Sequence, residues 1–114
     1  MVTPMTTYER AIQIYQVLIA AAHNRQTVTY KMLGDLVGLP PQGLGNHLDH
    51  LQRYCARHDL PPLTVLVVRT GIGEPGPGLT ESANKDVDRE RVYARNWFGD
   101  KPLTVGVLQE VEEA

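Results

Sequence analysis

Five side chains between positions 47 and 58 are of types that hold metal ions: His47, Asp49, His50, Cys55 and His58. His47 and His50 stand three apart on one predicted helix, a spacing that lets two imidazoles share a face as zinc ligands do. Neither a paired CxxC nor an HExxH sequence accompanies them, and Cys55 falls on the apolar side of the same helix. Histidines at the surface or partly packed are the simpler reading, so no metal and no other cofactor is expected. Nucleophilic catalysis finds no better support. Ser82 is the only serine, and it lies in a polar stretch with no base or carboxylate placed by sequence to activate it. The chain is expected not to be an enzyme.

Binding chemistry is easier to find. Along the predicted third helix, Gln42, Asn46, Asp49, Arg53 and Arg57 occupy faces away from the stripe Leu44, Leu48, Leu51 and Cys55. Amide side chains can pair with adenine edges, and arginine can pair with guanine or phosphate. Arg69, at the start of a glycine- and proline-rich loop over Gly71–Gly78, could follow a phosphate backbone. These residues make nucleic acid, DNA above all, the expected partner. A solvated helix face would show the same pattern, and Asp49 and Asp59 oppose a polyanion. The rival expectation is a protein-interaction module, an adaptor or a modulator of the kind phage and mobile elements encode. Its contact residues would be Tyr93 and Trp97, four apart on a predicted helix behind the charge run Lys85–Arg91.

Composition restricts the choice without making it. The chain has 114 residues, 42% apolar and 21% charged, with net charge −2. That length suits one domain with a core of its own. The slight acidic balance lacks the basic excess of proteins that bind nucleic acid through phosphates. A single cysteine cannot form an internal disulfide, which suits a reducing compartment. No apolar run approaches the ~20 residues that span a bilayer, and the first ten residues lack a signal-peptide pattern. A cytoplasmic protein that does not bind membranes is expected, with residues 1–5 a loose leader and residues 109–114 a frayed acidic tail.

Three helices must position the candidate residues. Thr6-x-x-Glu9 has the form of a capping box, and Tyr8, Ala11, Ile12, Tyr15, Leu18, Ile19 and Ala22 continue it as an amphipathic helix from about Thr7 to His23. Thr27–Thr29 is short and β-favouring. Thr29 can cap a second helix, Tyr30–Val37, with Met32, Leu33, Leu36 and Val37 turned inward, and Gly38 suits its C-terminus. Pro41 suits the first turn of the third helix, which ends near His58. Pro61-Pro62 closes this half. Leu63–Val68 is a continuous apolar, β-rich run expected as a buried strand. A further helix is expected over Asp86–Trp97 and a last strand over Thr104–Leu108.

Residues Thr29–Gly38 (TYKMLGDLVG) followed by Pro41–Leu48 (PQGLGNHL) resemble the DNA-binding half of alkylguanine-DNA alkyltransferases and alkyltransferase-like proteins. Those carry TYG-x-[LV]-A-x-x-x-G, then A-R-x-V-G-x-A-[LM], then a PCHRVV strand and a glycine loop. The likeness extends over roughly Tyr8–Gly78. It implies that Tyr30 presses on a phosphate beside a flipped nucleotide, and that Gln42 stands where the family has its base-replacing arginine. Aligning Val67-Val68 with the family's VV places Thr64 at the acceptor cysteine and Val65 at the histidine, so alkyl transfer is excluded. The resemblance implies an α+β winged-helix (helix-turn-helix) domain with a β-wing and an additional C-terminal helix. Taken with the helix face and the loop read above, the expectation is non-catalytic binding through Tyr30, Gln42, Asn46, Arg53, Arg57 and Arg69.

Overall fold

The first helix begins where a hydroxyl and a carboxylate can exchange hydrogen bonds with the backbone. In the computed structural model, which describes residues 5–69 and 85–113, the Thr6 hydroxyl accepts from the Glu9 amide at 3.1 Å, and the Glu9 carboxylate accepts from the Thr6 amide at 2.9 Å. Helix α1 then runs Thr7–His23, over the span its periodicity predicts. It buries Ala11, Ile14, Leu18 and Ala22 at the centre of the core. The helix ends with two backbone bonds, Gln26 to Ala21 at 2.9 Å and Arg25 to Ala22 at 3.0 Å. That closure needs a left-handed residue, and Arg25 supplies it at φ 54° where glycine is usual.

Strand β1 (Val28–Thr29) leads directly into α2 (Tyr30–Val37), whose first turn is capped by the Thr29 hydroxyl accepting from the Met32 amide at 3.0 Å. Gly38 ends α2 at φ 77°. The amides of Gly38 and Leu39 both donate to the Gly34 carbonyl, at 2.8 and 2.9 Å, which folds the chain tightly back over Gly34. A Cβ on Gly34 would lie 2.5 Å from the Leu39 carbonyl oxygen. Backbone cannot give way as a side chain can, so Gly34→Ala should destabilise by about 1–3 kcal/mol, the range of an overpacked interior site. Thermal unfolding of the variant measures it.

A 3-10 turn (Pro41–Gly43) precedes α3 (Gly45–Arg57). Leu44, Leu48, Leu51 and Cys55 form its buried stripe as the spacing predicts. Beyond Pro61-Pro62 the structure departs from the sequence reading. Leu63–Leu66 is a buried 3-10 helix, and only Val67–Val68 is extended, as β2. It pairs with β1 in parallel, Val28 against Val67 and Thr29 against Val68. An apolar run with no alternation does not distinguish a strand from a buried turn of helix. Among the described residues the strand beside it is two residues long, so the rest of the run satisfies its amides locally, Val65 to Pro62 at 3.0 Å.

The C-terminal part is helical as well. Helix α4 (Lys85–Ala94) stops short of the predicted end and is followed by a 3-10 turn at Trp97–Gly99. The stretch expected as a last strand is the start of helix α5 (Val105–Glu113). Thr104 caps it, its hydroxyl accepting from the Val107 amide at 3.3 Å, and Leu108 enters the core.

The expected α+β winged-helix fold is therefore corrected. The described residues are 71% helix with the 3-10 turns included and 4% strand, five α-helices with one two-stranded parallel sheet. A winged helix needs an antiparallel hairpin, whereas this pair is parallel and joins the segment before α2 to the segment after α3. The residues expected to form the wing, Gly71–Gly78, lie outside the described residues, as does Ser82. Among the described residues, no helix is long and apolar enough to cross a membrane.

Candidate interaction surface

Of the six residues expected to meet nucleic acid, Asn46, Arg53 and Arg57 share one face of α3 by their spacing of seven and four, while Tyr30, Gln42 and Arg69 stand on other segments. Gln42 is exposed on the 3-10 turn and Asn46 on the first turn of α3. Arg57 is exposed at the far end of that helix, about 16 Å from Asn46 along the axis. Arg69 is exposed just past β2, and Tyr30 is half-buried against the core at the start of α2. Arg53 is already occupied. Its Nε donates to both carboxylate oxygens of Glu112 on α5, at 2.9 and 3.0 Å, and its Nη2 donates to one of them at 2.6 Å. His50 Nδ1 contacts the same carboxylate, so the cation nearest the middle of α3 is neutralised from within the chain.

The Arg53 hydrogen bonds, aided by His50, hold the Glu112 carboxyl below its ordinary range although partial desolvation opposes the shift. A carboxylate whose pKa is depressed by folding contributes stability above its unfolded value, about 4, and loses it as pH falls through the folded value. Acidification should therefore loosen α5 from α3 as Glu112 takes up a proton. Amide exchange at Leu108, followed from neutral pH into that range, should show the loss, and Glu112→Gln should show it already at neutral pH.

The metal-ligating types are dispersed too. His47 Nδ1 lies 3.1 Å from the Gly43 carbonyl, His58 packs on the Tyr54 ring at 4.8 Å, and His50 is held by Glu112. Burial pushes the Cys55 thiol up to about 11, leaving it protonated and unreactive. Among the described residues no three His, Cys, Asp or Glu side chains converge as a metal site.

Of the two residues assigned to a protein partner, Trp97 is a core residue. Its indole nitrogen donates to the Val92 carbonyl at 2.8 Å, and its ring meets Tyr15 edge-on at 6.4 Å. Tyr93 stays half-exposed and leads to a surface that the sequence reading missed. A groove of about 660 Å³ runs between the C-terminal half of α1, the segment 24–28, α2 and Tyr93 of α4. Val17, Ala20, Ala21 and Val28 line it, and Met32 and Leu36 form its outer wall.

Met32 and Leu36 were expected inward, yet they are 53% and 63% exposed. The apolar positions of α2 form two adjacent rows, Leu33/Val37 and Met32/Leu36, each spaced four apart. A helix of eight residues against one side of a core buries one row, here Leu33 and Val37. The signal was present in the sequence as an apolar stripe too wide for so short a helix.

Charges of both signs stand on the elements that form the groove. The Arg25 guanidinium lies 5.1 Å from the Tyr93 ring centroid and is paired with Glu90. On α2, Lys31 and Asp35 are 3.4 Å apart and largely exposed.

No family model, curated protein or solved structure matches the chain.

Proposed function

We propose that this chain is a non-catalytic binding domain that recognises another polypeptide through the groove beside α2. The observation that carries the reading is the exposed pair Met32 and Leu36, one turn apart, walling a groove of mixed polar and apolar lining. Large apolar side chains left exposed beside a recess are characteristic of protein-binding sites. Arg25 lines the groove and is paired with Glu90, and the helix that carries Met32 and Leu36 also exposes Lys31 and Asp35. Mixed charge of this kind suits a protein segment better than a polyanion. The buried, protonated Cys55 and the single-cysteine composition fit a cytoplasmic setting.

A second reading, non-catalytic nucleic-acid binding, is favoured by the joint exposure of Gln42 and Asn46 at the start of α3. The likeness of this stretch to alkyltransferase relatives supports it as well. The two readings separate on one titration of the purified chain with duplex and single-stranded oligonucleotides. The protein-binding reading expects no salt-dependent affinity at about 50 mM salt. Affinity falling with a log-log slope near −0.9 per phosphate contact, and weakened by Arg57→Ala, would establish the nucleic-acid reading instead.

A further inference from the structure

Helix α2 presents a pattern that is complementary to itself. Its exposed side carries Lys31, Met32, Asp35 and Leu36, a cation and a thioether one turn before an anion and an isobutyl group. From this ridge, its charge pattern and the groove beside it, we infer that the partner is a second copy of this chain, docked with its α2 antiparallel across a twofold axis. The inference rests on the protein-binding reading and names its partner.

An isologous contact requires each group to meet its complement on an identical surface. An axis near Gly34 sets Met32 opposite Leu36 of the other copy, and an axis near Leu33 sets Lys31 opposite Asp35. These centres differ by one residue, about 1.5 Å along the helix, well within the reach of a lysine. Both pairings therefore form together.

The intrahelical pair offers little competition. Lys31 precedes Asp35, the less favourable order for a spacing of four, and its 3.4 Å contact is solvent-exposed. Re-pairing across the axis gives each charge a partner in the same order on the other copy, despite the net charge of −2. The groove completes the fit. It lies beside the ridge, so the ridge of each copy has the accessible apolar surface of Val17 and Ala20 available to cover it. A ridge and a recess side by side are what twofold pairing uses.

Sedimentation velocity of the full chain from about 10 μM to about 1 mM tests the inference, with circular dichroism confirming that each variant is folded. The wild type should shift from monomer to dimer across that range. Leu36→Glu should raise the dissociation constant about 30-fold or more, as loss of a buried anchor does. Asp35→Lys, which sets lysine against lysine, should raise it about 10-fold. The double exchange Lys31→Asp with Asp35→Lys should return it to within about 3-fold of the wild type, because the swap preserves twofold complementarity. A wild-type chain that stays monomeric to about 1 mM overturns the self-pairing, while the protein-binding reading then stands or falls on heterologous cross-linking from position 36. A dimer indifferent to Leu36→Glu overturns the placement of the contact on α2.

Discussion

Trp97→Ala is expected to cost about 3–5 kcal/mol, the range for deleting a large buried aromatic side chain. Trp97 is 3% exposed. Its indole is fixed by the Val92 carbonyl, covered by the Arg95 guanidinium at 4.6 Å, and set edge-on against Tyr15. Removal leaves a void where α1, α4 and the turn after α4 meet. It also uncovers the Arg95 guanidinium, which stacks on the ring and pairs with Asp100 at 2.6 Å. Domains of this size hold about 5–15 kcal/mol in all, so the loss takes a large part of the stability and should lower the melting temperature by more than about 10 °C. Tyr93→Ala, at a half-exposed position, should cost far less. A stable Trp97→Ala protein that had merely lost a partner would place Trp97 on a binding surface and contradict its role in the core.

Met32→Glu and Leu36→Glu should do the opposite. Both side chains are more than half exposed, so each substitution should leave stability within about 0.5 kcal/mol. Association through the groove should nevertheless fall by about 2 kcal/mol or more per variant, the scale of an interface anchor. A glutamate at either position places a charge where docking removes water, and Arg25, which lines the groove, is already paired with Glu90. Unfolding curves and binding measurements on the same preparations separate the two effects. Destabilisation in step with lost binding would show that the ridge is part of the core.

Local rules made much of the fold legible. The Thr6/Glu9 capping box, the Thr29 cap, Gly38 in its left-handed conformation and the leucine stripe of α3 all depend on residues within a turn or two of one another. The errors came where a distant partner decides the outcome. Leu63–Leu66 could have been a strand only beside a longer β1. The valines of α5 favour extended backbone by type, but the Thr104 cap and the burial of Leu108 in a groove of helices make them helical. Tyr93 and Trp97 lie four apart, yet α4 ends at Ala94 and the two side chains part company, one to the groove and one to the core.

The candidate site was less legible for the same reason. Arg53 looks available on α3 until Glu112, fifty-nine positions later, is brought against it by α5. Nothing in the local pattern indicates that pairing. Met32 and Leu36 looked like core because apolar residues on a short helix usually are. Only the packing of Leu33 and Val37 against the body of the protein shows which row remains outside.

The most direct measurement places a photo-reactive residue at position 36, and separately at position 57, in the full-length chain within its native cell. Position 36 should give a protein adduct of one defined mass that survives nuclease and disappears when Met32→Glu is added. Position 57 should give none. Nuclease-sensitive adducts at position 57, with nothing at position 36, would contradict the assignment of function to the groove.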